Sequence, residues 1–348
     1  MRPFNIVRKF ATRLTKAENK RLDMGEMPNN MPSDLFDNFL RSLKQEDFIC
    51  YPCEKDYNNL KKLIAELNEV NPVNISLNYG SDQSIKNIFS IFEQDEAEVV
   101  FNNPAFPMYG VYSETFNLKT RLVGYNNYKC QLEDLLASLS KNTKLVVLAN
   151  PNSPYGDLKS KDEIINLCDF LHCRGIYLLL DEAYIDFGGE SCASLIGQNE
   201  DVFSNLFITK TFSKAWGAAG TRCGYSISSE SNTKLLEKLR PSFPLTGVSI
   251  KYLQFLLQNP DIKNNFVSMI AKEKSLIKKM SLKNITIQTG SVSWINCECK
   301  NNATVRDILE QKGIAAKYID NQYVRIGLFK GCSKLLEKID LALERGIW

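Results

Sequence analysis

Apolar positions follow two alternating patterns along the first two-thirds of the chain. Asp56–Val70 (DYNNLKKLIAELNEV) carries apolar residues at helical spacing, and the segment SDQSIKNIFSIF, residues 81–92, opens another helix. Between the helical stretches stand short runs with little alternation: Ile75–Leu77, Glu98–Asn102, Lys144–Ala149, Ile176–Leu180 and Leu206–Thr209. Near-continuous apolar strands separated by helices predict a mostly parallel sheet covered on both faces. Residues 226–280 read as helical. After Ile285, short strands (ITIQ, VSWINCE, YVRIGL) mix with helices (ATVRDILEQKG, CSKLLEKIDLALERG). The expected fold class is α/β: a large domain over 36–240 with a mostly parallel central sheet, and a smaller α+β domain over 241–348. Residues 1–35 form an N-terminal arm that packs on the small domain or on a partner subunit.

Composition narrows the function classes. The chain has 348 residues, 44% of them hydrophobic and 24% charged, enough for a large core. A net charge of +3 without a Lys/Arg stripe argues against nucleic acid but suits an anionic substrate. No apolar run reaches the length of a membrane span, so no membrane partner and a cytoplasmic location are expected. The basic start MRPFNIVRKFATRLTK also has the look of a transit peptide; an arm against a partner subunit is the preferred reading. The ten cysteines lack a disulfide-domain pattern. Cys50-Tyr51-Pro52-Cys53 and Cys297-Glu298-Cys299 suggest zinc only weakly, because a CxC pair on a strand is a poor tetrahedral partner; no metal is expected. The single histidine, His172, falls near a helix end, where a structural or capping role is the default. One histidine excludes three-histidine metal sites and argues against a Ser-His-Asp triad. Proton transfer falls to Lys, Asp, Glu or Tyr.

Polar residues mark the ends of the apolar runs, where ligands of parallel sheets bind. Asp181 ends the strand in LLLDEAY, and its charge there calls for a cation; Tyr184 follows three residues later. After the next strand come Thr211, Ser213 and Lys214, then a Gly/Ala-rich stretch up to Arg222. Gly80-Ser81-Asp82 opens a helix whose N–H groups favour a phosphate, and Phe106 follows a strand in NNPAFPMY. Pyridoxal 5'-phosphate needs this set: an amine for its aldehyde, a carboxylate for its ring nitrogen, donors and an Arg for its phosphate, and an aromatic neighbour. Lys210, four residues before Lys214, is a rival amine.

These segments resemble those of fold-type I pyridoxal-phosphate aminotransferases, and among them the histidinol-phosphate aminotransferase group. The resemblance rests on YP at 51–52, GSD at 80–82, NPAFPMY at 103–109, NPNSPYG at 150–156, LLLDEAYIDF at 178–187, TFSKAWGAAGTRCGY at 211–225 and VRIG at 324–327. It implies that Lys214 holds the cofactor as a Schiff base, that Asp181 pairs with the ring nitrogen and that Tyr184 pairs with the ring oxygen. Ser81, Asp82, Thr211, Ser213 and Arg222 would surround the phosphate, Phe106 would stack on the ring, and Arg325 would hold the substrate carboxylate. Tyr51 would reach the partner subunit's cofactor phosphate, so a homodimer is implied. Three positions depart from the family pattern. Ser153 and Tyr155 stand in NPNSPYG where NPNNPTG is usual, leaving open whether Asn152 or Ser153 meets the ring oxygen. Gly25-Glu26-Met27 replaces NEN, and Lys317 stands where an arginine is usual. The activity implied is amino transfer between glutamate and a small phosphorylated keto or amino compound. The alternative is decarboxylation of phosphoserine or phosphothreonine; a protein using the cofactor only as a sensor is a third reading.

Overall fold

The computed structural model describes residues 20–27, 31–199, 201–299, 302–319 and 323–345. The chain divides into two compact units. One comprises Asn30–Val267 with Gly290–Val292; the other comprises Met1–Asn29, Ser268–Thr289 and Ser293–Trp348. The arm expected over 1–35 falls largely outside the described residues.

The first strand, β1 (Lys20–Arg21), belongs to the smaller unit. The next seven form the sheet of the larger one: β2 (Ile75–Tyr79), β3 (Glu98–Asn102), β4 (Lys119–Val123), β5 (Thr143–Ala149), β6 (Tyr177–Asp181), β7 (Leu206–Thr211) and β8 (Cys223–Ile227). Their spatial order is β2-β8-β7-β6-β5-β3-β4. Pairing from β7 through β4 is parallel, whereas β8 is antiparallel to both its neighbours. The mostly parallel sheet is thus as expected, and the middles of its central strands are apolar and buried, as in a sheet covered on both faces.

Two of its strands carry no apolar run. β4 (KTRLV) lies at the edge and is exposed along most of its length; its charges meet Glu96 and Glu98, the latter through Arg121 at 3.0 Å. Charge on an edge strand blocks further pairing. In β8, Gly224 and Ser226 interrupt the pattern, although every residue of that strand is buried.

One face of the sheet packs Val99, Phe101, Leu145, Val147, Leu179 and Phe207 against Ile85, Phe89 and Tyr109. Side chains alternate across a strand, so Asp181 and Thr209 continue the same row as Leu179 and Phe207, while Glu182 and Lys210 face the opposite way.

In the smaller unit β9 (Ile285–Thr289), β10 (Trp294–Cys299), β11 (Ile314–Ala315), β12 (Lys317–Ile319) and β13 (Tyr323–Gly327) follow. Four of these make an antiparallel sheet in the order β12-β13-β10-β9, and β11 pairs in parallel with β1. His172 is the last residue of the helix Lys161–His172, and its carbonyl accepts from Gly175 N–H at 2.9 Å. Cys50, Cys53 and Cys297 are free thiols, and Cys299 Sγ donates to Asn302 Oδ1 at 2.9 Å. Among the described residues no group of three metal-ligating side chains is placed to hold an ion, and no helix is long and apolar enough to cross a membrane.

Candidate active site

Strand register gathers most of the polar residues named above at one edge of the larger sheet. Ala149 is level with Asp181, and Asp181 with Thr209. Antiparallel β8 begins at that same edge, with Asn78 and Thr211 both level with Gly224 and Tyr79 level with Cys223. The carboxyl ends of β2, β5, β6 and β7 therefore meet the start of β8, the position where ligands of open α/β sheets bind.

Asp181 is 7% exposed and sits above the apolar row just described. Three neutral donors hold it. Tyr109 Oη donates to Oδ2 at 2.6 Å, while Ala183 N–H and Thr209 Oγ1 donate to Oδ1 at 3.2 and 3.3 Å. Burial raises its pKa above the usual carboxylate range, and those donors only partly offset the effect. Among the described residues it makes no ion pair with Lys or Arg. A cation brought beside it, such as a protonated ring nitrogen, would relieve the desolvation.

The two lysines of the segment differ sharply. Lys214 Nζ lies 5.4 Å from the centre of the Tyr184 ring. Lys210 is tied on the other face, where its Nζ meets Ser191 Oγ at 2.9 Å and Glu182 Oε2 at 3.4 Å. Burial is the largest single effect and works against its charge, but Glu182, Tyr225 and Asp186 together outweigh it and leave its pKa raised.

The third feature is an anion cradle. The helix Gly80–Ile91 starts directly after β2, and its free N–H groups and dipole favour a phosphate. Gly80 has φ +78°, and a Cβ there would stand 2.9 Å from Arg222 Nη2. On β8, a Cβ at Gly224 would stand 2.2 Å from Ser81 N. Glycine at both places lets strand, arginine and helix start converge. Arg222 itself is left-handed (φ +54°), and its Nη1 donates to Ala219 O at 3.3 Å. Ser213 N–H donates to Thr211 Oγ1 at 3.1 Å. Asp82 Oδ1 accepts from Tyr112 Oη at 2.7 Å, which fixes the first helical turn.

The Asn150–Gly156 loop begins where Asn150 N–H donates to Asp181 O at 2.9 Å. Asn152 is 3% exposed; its Oδ1 accepts from Tyr155 N–H at 3.2 Å and Gly156 N–H at 3.0 Å. Its Nδ2 is buried with no acceptor. Ser153 is half-buried. Tyr155 packs between Tyr125 and Tyr128, with ring centres 4.9 and 5.1 Å away. Phe106 is 36% exposed and meets Tyr109 edge-on at 5.7 Å.

These features fit pyridoxal phosphate. They supply a buried carboxylate in want of a cation, a cradle that two Cβ atoms would fill, and an orphaned donor on Asn152 that an acceptor would satisfy. Asp181, Phe106, Asn152, Ser153, Thr211, Ser213, Arg222, Ser81, Asp82, Lys214 and Tyr184 all belong to the larger unit. Tyr51 belongs there too, 78% exposed and stacked on Phe243 at 4.4 Å. Arg325 and Lys317 come together in the smaller unit, level with each other on β13 and β12. Arg325 Nη2 donates to Asp23 O at 2.7 Å, and its guanidinium stands 4.7 Å from the Trp294 ring centre.

Sequence reasoning passed over Tyr109, Thr209 and Gly224. Tyr109 had a signal, one helical turn beyond Phe106 in NPAFPMY. Thr209 had the alternation that places it beside Asp181.

Comparisons with known proteins bear on the same segments. Residues 21–333 match the model of "Aminotransferase class I and II". The histidinol-phosphate aminotransferase of Christiangramia forsetii is 30% identical over 328 residues, covering 92% of this chain and 87% of the relative. The crystal structure of histidinol-phosphate aminotransferase from Sinorhizobium meliloti in complex with pyridoxal-5'-phosphate superposes with a TM-score of 0.79 at 20% identity, over 93% of this chain and 91% of that one. L-threonine-O-3-phosphate decarboxylase from Porphyromonas gingivalis gives 0.78 at 18% identity, over 94% and 99%.

Proposed function

The chain belongs to the class I and II aminotransferase family, fold-type I enzymes that depend on pyridoxal phosphate, and on that premise we propose that it moves an amino group between glutamate and a small phosphorylated keto or amino compound. The single observation that carries the site assignment is Asp181: a buried carboxylate at a strand end, held by neutral donors, with Lys214 one strand over beside Tyr184. The substrate class follows the relatives named for histidinol phosphate and the mild positive charge of the chain.

Bound pyridoxal phosphate supplies an electron sink for the substrate's alpha carbon. The residues divide the remaining work. Lys214 holds the cofactor and moves the alpha proton. Asp181 keeps a proton on the ring nitrogen. Tyr184 and the Asn152–Ser153 pair serve the ring oxygen, and Phe106 covers the ring face. Ser81, Asp82, Thr211, Ser213 and Arg222 hold the phosphate through side chains or backbone N–H groups. Arg325 takes the substrate carboxylate by a bidentate contact, and Lys317 takes a second anionic group.

We also propose a cytoplasmic homodimer in which Tyr51 serves the partner's cofactor phosphate. Its support is the exposed apolar run of Phe48, Ile49 and Tyr51 with Phe243 alongside, more than is usual for a surface facing only water.

The test loads the protein with pyridoxal phosphate and follows its visible absorbance. Glutamate is expected to convert the spectrum to the pyridoxamine form, and one member of a panel of phosphorylated ketones to restore it. No change with glutamate, together with CO2 release from phosphoserine or phosphothreonine, would overturn transamination in favour of decarboxylation.

A further inference from the structure

Asp181 does not stand alone: one side chain links it to the aromatic residue proposed for the ring face. Tyr109 is 1% exposed, in the first turn of the helix Met108–Thr115. Its ring is fixed on three sides, edge-on to Phe106 at 5.7 Å and to Phe101 at 5.6 Å, and stacked toward Phe89 at 6.4 Å. Its hydroxyl makes the shortest of the three bonds to Asp181, and the only one to Oδ2. A bond of 2.6 Å from a hydroxyl to a carboxylate is of the charge-assisted kind, shorter and stronger than a neutral pair.

We propose that Tyr109 is a positioning residue that fixes both the orientation and the basicity of Asp181, and so sets how strongly a cofactor held beside that carboxylate retains its protons. The inference rests on the cofactor reading given above. Two physical consequences follow. The rigid aromatic packing leaves the hydroxyl little freedom, so the carboxylate plane is set by the core rather than by the ligand. The hydroxyl also takes up part of the negative charge on Oδ2. Burial and the Asp181 charge drive the Tyr109 pKa well above its ordinary value, so Tyr109 stays a donor across the working pH range.

Tyr109→Phe keeps the ring and removes the hydroxyl. The unshared charge on Asp181 then favours the protonated form of the bound cofactor. In the pyridoxal-phosphate-loaded protein, the pH midpoint of the visible absorbance change is expected to rise by about 0.5–1 pH unit, about half of the roughly 1–2 units that one hydrogen bond to a charged group is worth, because the effect reaches the cofactor through Asp181. With substrate, kcat should fall by about tenfold while KM changes by less than about twofold. Thr209→Val is the companion variant. It removes the longer bond, to Oδ1 at 3.3 Å, and its midpoint should move less. A folded Tyr109→Phe protein that loses uptake of the cofactor, where Thr209→Val keeps it, supports the same role in its limiting form. An unchanged midpoint in Tyr109→Phe, or a larger shift in Thr209→Val, overturns the positioning role. Wild-type protein that takes up no pyridoxal phosphate overturns the cofactor reading itself, and the role of Tyr109 with it.

Discussion

Asp181 and Glu182 are neighbours in sequence, both buried, and they solve the problem of a buried carboxylate in opposite ways. Glu182 is closed within the protein. Its Oε1 accepts from Cys192 N–H at 2.7 Å, its Oε2 from Ser191 Oγ at 2.5 Å, and the Lys210 ammonium stands 3.4 Å away. Asp181, the last residue of β6, faces the other side of the sheet and among the described residues has only neutral donors. The difference teaches how to separate a structural charge from a functional one. A buried carboxylate with its own cation is complete, whereas one that lacks a cation is stabilised by a ligand that carries one. It also separates the two lysines, because Lys210 belongs to the completed side and Lys214 lies beside Tyr184.

The comparison can be broken most forcefully on the completed side. Glu182→Gln or Lys210→Met leaves a buried charge without its partner and should cost about 3–5 kcal/mol in urea unfolding. The double change Glu182→Leu with Lys210→Met should cost less than either single one, since no charge remains to be buried. A single variant as stable as wild type would show that the pair is not the closed unit described.

A smaller, pH-dependent effect is expected at Asp181. Its folded pKa is raised by burial, so its contribution to stability is fully present below the unfolded value of about 3.9 and is lost as pH rises through the folded value. Asp181→Asn removes that loss. Without cofactor, the variant should therefore gain in thermal stability relative to wild type as pH rises from 4 to 8. A gap that shrinks over that interval would contradict the assignment. With cofactor supplied, the order should reverse, because the cation that Asp181 is placed to receive stabilises only the wild type.

Much of this arrangement was legible in the sequence, for identifiable reasons. β5, β6 and β7 are buried on both faces and read as apolar runs, so the strand-end residues Asn150, Asp181 and Thr211 could be located by counting. β4 was not legible because an edge strand needs charges such as Lys119 and Arg121 rather than an apolar run. β8 was hidden by Gly224, whose role is to let Ser81 approach. Apart from its place one helical turn beyond Phe106, Tyr109 has the pattern of an ordinary core aromatic. Only the fold brings its hydroxyl to Asp181, 72 residues away along the chain. In the same way Glu182 was indistinguishable from Asp181 by composition, and it took the position of Lys210 to tell them apart.

The central claim is that the cofactor's aldehyde meets Lys214 and not Lys210. The most direct measurement is borohydride reduction of the pyridoxal-phosphate-loaded protein, followed by proteolysis and mass mapping. The account predicts the added mass on Lys214, its loss in Lys214→Ala and its retention in Lys210→Ala; added mass on Lys210, or labelling that survives Lys214→Ala, would contradict it.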